Sequence, residues 1–150
     1  MMTAFRFLPT LAIAGLLFSG CSSADKNDYA VIDGEILDIH DEIMPKLEDV
    51  NRYSEEIKSK IAKLDSLQQE GISSNTVAEQ RLKANDLLVR LHTADSLMWE
   101  WMHGYEADSA RALPNDDEVR QYFENEKKRI LEVKEKTESS LRDAQQFLEK

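Results

Sequence analysis

Residues 29–70 read YAVIDGEILDIHDEIMPKLEDVNRYSEEIKSKIAKLDSLQQE. An apolar residue returns every seventh position, at Ile36, Ile43, Val50, Ile57 and Leu64. Ile39, Leu47, Tyr53, Ile61 and Leu67 fill the adjacent rows. Residues three, four and seven apart share one face of an α-helix, so the spacing predicts one long amphipathic helix with a coiled-coil-like seam. Gly71 can close it in the left-handed conformation.

Downstream, the same logic recurs twice. Thr76-Val77-Ala78-Glu79 has the spacing of a capping box, in which hydroxyl and carboxylate satisfy each other's free amides. A second helix is expected to run from there to about His103. It carries Val77, Ala84, Leu91, Met98 and Tyr105 in register, with Leu87, Leu88, Ala94, Trp101 and Met102 beside them, and Gly104 as terminator. Pro114-Asn115-Asp116-Asp117-Glu118 then places a capping side chain and acids where a helix dipole favours them. The third helix shows Val119, Tyr122, Phe123, Ile130, Val133, Leu141, Ala144, Phe147 and Leu148 on its apolar stripe, which Glu126, Thr137 and Ser140 interrupt. That interruption predicts a poorly packed middle or a face for a second copy. No alternating β-type run occurs, and three long helices joined by short loops imply an all-α, antiparallel three-helix up-down-up bundle over 29–150.

A helical hairpin pairs residues at equal distances from its turn. With Ser73 at the centre, Met44 faces Met102, and His40 lies level with Tyr105 and Glu106. His40 and Met44 share a helix face, as do Met98 and Met102, since each pair is four residues apart. Trp99, Trp101 and His103 adjoin them, and folding back the third helix adds Tyr122 and Phe123. Pro45 falls in this layer, where it removes one backbone hydrogen bond and frees the carbonyl of Asp41, at a cost of about 3 kcal/mol. Methionine and aromatic rings at helical spacing ordinarily fill a core. The rival reading is a Cu(I) site built from His40, Met44, Met98, Met102 and His103, because thioether and imidazole together suit that ion.

Other chemistries fit less well. Glu100-Trp101-Met102-His103 has the Glu-x-x-His spacing of di-iron bundles, which need a second copy and two more inward glutamates. Three histidines are too few for a hemerythrin-like site, and no phosphate loop, zinc spacing or catalytic triad is present. His92 reads as solvent-facing. Asp95, between Leu91 and Met98, would be costly to bury unpaired, with Arg111 or a lysine of the third helix as its expected partner. The residues therefore imply neither an enzyme nor a resident cofactor.

The N-terminus addresses location. Met1–Phe7 carries Arg6 and no acid, Phe7–Phe18 is almost wholly apolar, and Ser19-Gly20-Cys21 follows. A cationic start, a short apolar run and small residues before a cut describe a secretory signal over residues 1–20. That run is too short for a bilayer-spanning helix of about 20 residues. LLFSGC resembles the lipobox of bacterial lipoproteins, with Leu17, Ser19, Gly20 and Cys21 at matching positions and Phe18 a less common residue in its place. The resemblance implies that Cys21 takes a diacylglycerol, that cleavage precedes it, and that the new amine is acylated, as with palmitate. Cys21 is the only cysteine, so no internal disulfide can form. Residues 21–28 would be a lipidated polar tether. Ser22 after the cysteine resembles the outer-membrane class, facing the periplasm or, as Asp25 and Asp28 hint, the cell surface.

The net charge is −10, and −11 once Arg6 leaves with the signal. Such a surface repels nucleic acid and anionic lipid headgroups, which leaves another envelope protein or a second copy as the expected partner. The stretches His40–Lys46 and Met98–His103 resemble small helical lipoproteins of the Bacteroidota sometimes labelled "viral A-type inclusion protein". That resemblance implies an envelope location and a helical fold, and no activity.

Overall fold

The computed structural model describes residues 28–72 and 74–149. The expected signal, Cys21 and all of the tether except Asp28 lie outside them. The described residues are all-α, about 89% helical and without strands. Five helices follow in order: α1 Asp28–Ile43, α2 Lys46–Gln69, α3 Asn75–Gly104, α4 Ala107–Arg111 and α5 Asp116–Leu148. None is long and apolar enough to cross a membrane.

The first helix expected from the sequence is divided at Met44-Pro45. Proline has no N–H to give the Asp41 carbonyl, and the ladder shifts there to shorter steps: Leu47 N donates to Met44 O at 3.2 Å and Glu48 N to Pro45 O at 3.3 Å. The seam survives the break. Ile36, Ile43, Leu47, Val50, Ile57 and Leu64 are all buried, because a proline in helical conformation (φ −62°, ψ −29°) disturbs the hydrogen bonds more than the register.

The connection from α2 to α3 behaves locally as its residues require. Gly71 adopts φ 82°, Ile72 N donates to Leu67 O at 3.0 Å and Gly71 N to Gln68 O at 3.2 Å, the paired bonds of a Schellman ending. The expected Thr76–Glu79 capping box does not form. Ser74 caps α3 instead, its hydroxyl accepting from Val77 N at 3.2 Å, so the helix starts before Thr76 and places it in the first turn. Asn115 caps α5 as expected, accepting from Asp117 N at 2.8 Å.

Helix α2 packs on α3 and α5, α3 packs on α5, and α1 packs chiefly along α5. The α1–α5 contact is flanked by Asp28–Arg120, Glu35–Lys127 at 2.6 Å, and Glu42–Lys134. The partners on each helix are seven apart, so the two helices run side by side in the same direction. Lys46–Glu138, at 2.7 Å, extends the row past Pro45 with the signs exchanged. Glu42 sits between Lys134 and Lys46, whose hydrogen bonds hold its carboxyl below the ordinary range.

The residues that interrupt the apolar stripe of α5 turn inward. Glu126, Thr137 and Ser140 are buried along with Phe123, Ile130, Val133 and Ala144. Thr137 Oγ1 donates to Val133 O at 2.9 Å and Ser140 Oγ to Lys136 O at 2.7 Å, so each hydroxyl is satisfied within its own helix and enters the core at low cost.

Candidate functional site

Side chains capable of chemistry gather where α1, the end of α3, α4 and the first turns of α5 meet. A chain of rings crosses this region. Tyr29 stacks on Phe123 at 5.9 Å, Phe123 meets Tyr122 edge-on at 5.3 Å, and Tyr122 lies 6.4 Å from Tyr105. Tyr105 stacks on Trp101 at 4.9 Å, and Trp101 faces the His40 imidazole at 5.7 Å. The rings thus run from α1 through α5 and α3 back to α1.

Asp33 is the carboxylate at the centre of the end layer, and sequence reasoning passed it over. It is 8% exposed, receives the Tyr105 hydroxyl on Oδ1 and pairs through Oδ2 with Arg111. Arg111 also bonds Asp108 at 2.9 Å and lies over the Phe123 ring at 5.7 Å. One buried acid thereby joins α1 to the α3–α4 connection and to α4 itself. Burial, reinforced by the hydrogen bond to Asp33, pushes the Tyr105 phenol well above its ordinary value. Burial also raises Tyr122, whose hydroxyl accepts from Glu106 N at 2.7 Å. Asp33 stood in view at a seam position, four residues after Tyr29 and three before Ile36. Asp95 is only half-buried, and neither expected partner meets it among the described residues: Arg111 is held by Asp33 and Asp108, and no lysine of α5 pairs with Asp95.

The expected layer is brought together in part. Met98 is wholly enclosed in the core, and Met44 and Met102 are partly buried against it. His40 is half-buried, with Nδ1 2.9 Å from Asp41 Oδ1. His103 is exposed, its Nδ1 2.7 Å from Trp99 O, and it lies beside the Trp99 ring, which is 53% exposed. Trp99 and His103 thus lie outside the packed layer that holds Trp101. His92 is exposed, as expected. Among the described residues, no three His, Cys, Asp or Glu side chains converge as ligands for a metal ion.

Two buried polar atoms have no partner among the described residues, Trp101 Nε1 and Glu126 Oε2. The other oxygen of Glu126 accepts from Arg129 at 2.7 Å. Trp101 and Arg129 line a cleft of about 80 Å³ between α3 and α5, with Leu97, Glu100, Glu132 and Val133. Glu126 is thus half-answered from the solvent side and half unanswered inside.

Comparison with protein-family models, with curated proteins and with solved structures gave no match.

Proposed function

We propose that this chain is a lipid-anchored envelope protein whose helical domain is a non-enzymatic binding or structural module. The observation that carries the reading is the LLFSGC stretch ending at Cys21, with a polar segment from there to the start of α1. The anchor is the acylated Cys21, and the location is the outer membrane, facing the periplasm or the cell surface. In the finer description we propose, α1–α2, α3 and α5 act as the three rods of an up-down-up antiparallel bundle. The parallel α1–α5 row and the short α2–α3 connection support it. Three rods with long seams present extended faces, and the acidic surface favours a protein partner or a second copy over nucleic acid.

The test is membrane fractionation with palmitate labelling in cells that make the chain with and without Cys21→Ser. The unaltered chain is expected to carry label and sediment with membranes, and the variant to lose both. Label persisting on the Cys21→Ser chain would remove the anchor and the location with it.

A second reading is a Cu(I) site, supported by His40 beside Trp101 with Met44 and Met102 against the same core. Of its expected ligands, Met98 would have to open the core, and His103 would have to leave the Trp99 carbonyl.

A further inference from the structure

Between α3 and α5 lies an open cleft of about 220 Å³ lined by Arg90, Thr93, Lys136, Ser139 and Ser140. Its lining is richer in hydrogen-bond donors than the chain as a whole, and each of its cations is met by a carboxylate just outside it. In a protein with 29 acidic and 19 basic side chains, this lining holds two cations, three hydroxyls and no carboxylate. We propose that the cleft is a binding site for an oxyanion of the phosphate class.

The two cations come from different helices and are held at the rim. Arg90 pairs with Asp143 at 2.8 Å and Lys136 with Glu132 at 2.9 Å. Each pairing uses one donor. A guanidinium has five N–H groups and an ammonium three, so both retain donors for an incoming oxygen, and the planar fork of arginine matches a phosphate edge. Three hydroxyls complete the lining, with Ser140 buried, Ser139 half-buried and Thr93 exposed. Thr93 Oγ1 donates to Val89 O at 2.8 Å, while Ser139 and Ser140 donate to Lys136 O at 3.2 and 2.7 Å. Each of these bonds stays within one helix turn, and rotation about χ1 exchanges it for a bond to a ligand. Small side chains at all three positions keep the cleft open. Most of the overall charge of −10 acts from beyond the screening length of about 8 Å, while Asp143 and Glu132 balance the two cations locally, so an anion is held here by the unused donors rather than by excess positive charge.

The site stands independently of the lipid anchor. Phosphate of this kind is available as the free ion or as a lipid headgroup, and the two sources separate experimentally. The probe is inorganic phosphate titrated into the full chain carrying Cys21→Ser, followed by backbone amide chemical shifts, with chloride at matched ionic strength as control. Saturable shifts in the millimolar range are expected at Thr93, Ser139 and Ser140, with chloride inactive. Arg90→Gln and Lys136→Gln should each weaken binding about tenfold, the loss of one charge-assisted hydrogen bond. Lys58→Gln, on the far side of α2, should leave it unchanged. Melting curves establish that the variants fold, and Arg90→Lys should restore part of the affinity by returning the charge without the fork. In a second arm, sedimentation with phosphatidylcholine vesicles, with and without phosphatidylglycerol, assigns the source. Headgroup-dependent sedimentation lost in Arg90→Gln names the lipid; phosphate binding without sedimentation names the free ion. Linear shifts, shifts equal in chloride, or unchanged affinity in the Arg90→Gln, Lys136→Gln double variant would overturn the site.

Discussion

The two ends of this molecule solve the same problem with different side chains. Where α2, α3 and the second half of α5 lie together, the core is mostly aliphatic: Val50, Ile57, Ala84, Leu87, Leu91, Ile130, Val133 and Ala144, with Phe147 near its far end and Ser54 and Thr137 bonded to their own helices. Three amphipathic helices close such a core by apolar contact, and the ion pairs between them, Arg81–Asp65 and Arg90–Asp143, lie at the surface. Beyond Pro45, α1 packs mainly along α5, and only the single turn of α4 and the end of α3 cover the remaining side. A short helix offers little apolar area. Flat rings spanning three elements and one buried acid bonded to two donors take its place. Directional contacts appear where apolar area runs short, and they make that end more sensitive to single atoms.

The largest effect is expected in the aliphatic half. Ile57 is fully buried, and Ile57→Asp forces a carboxylate into a site with no partner, at a cost above about 4 kcal/mol. Its neighbour Lys58 is exposed and pairs with Glu55 at the surface, so Lys58→Asp should move the melting point little. Equal melting points for the two variants would remove the seam from this half. The next effect belongs to the other end. Arg111→Ala leaves Asp33 with the Tyr105 hydroxyl alone, and since Arg111 is itself partly solvated the loss should be about 2 kcal/mol. Hydrogen exchange locates it: amides of α1 and α4 should exchange faster while those of the α2–α3 pair hold their protection. Uniform acceleration along the chain would mean that the two ends unfold as one.

How much of this was legible follows the same division. Ile43, Val50, Ile57 and Leu64 announce their burial because aliphatic periodicity follows directly from helix geometry, and Gly71 and Asn115 act through bonds to immediate neighbours. The division at Pro45 was visible as a lost hydrogen bond, though its outcome was not, because the seam decides whether the rod continues beyond a proline. Asp33 was hidden for a different reason. An acid at a seam position contradicts the pattern unless its donors are known, and Tyr105 and Arg111 lie 72 and 78 residues away. The burial of Thr137 and Ser140 was hidden in a similar way. A hydroxyl that bonds its own helix is a tolerable core residue, and hydropathy alone does not record that. His40 meets Trp101, while Trp99 and His103 lie on the exposed side, a facing that spacing along one helix does not fix.

A smaller change should follow from pH. Tyr105 and Tyr122 have phenol pKa values raised in the folded chain, so the fold favours the neutral ring. The associated stability is intact below the ordinary tyrosine value of 10.0 and is lost as pH climbs through it toward the folded value. Melting points should therefore fall above about pH 10. Tyr105→Phe removes one donor to Asp33, costing about 1 kcal/mol at neutral pH, and should flatten part of the alkaline decline, Tyr122 supplying the remainder. An unchanged alkaline slope in Tyr105→Phe would exclude that phenol from the clasp at the ring-rich end.

The smallest effect tests whether that end is only packing. Leucine is close in volume to methionine, so Met44→Leu with Met102→Leu should cost less than about 1.5 kcal/mol if both thioethers merely fill space beside Trp101. The same double variant removes two of the soft ligands that a Cu(I) site would use. Reduced protein titrated with Cu(I) against a competing chelator, with tryptophan fluorescence as the signal, separates packing from binding. Packing predicts no saturable quenching in either protein, since Met98 is enclosed and His103 is engaged with the Trp99 carbonyl. Stoichiometric quenching that vanishes in the double variant at unchanged stability would make the ring-rich end a metal site. It would also reverse the comparison: the directional contacts of Asp33 and Tyr105 would then hold ligands in place as well as closing a core that one short helix leaves incomplete.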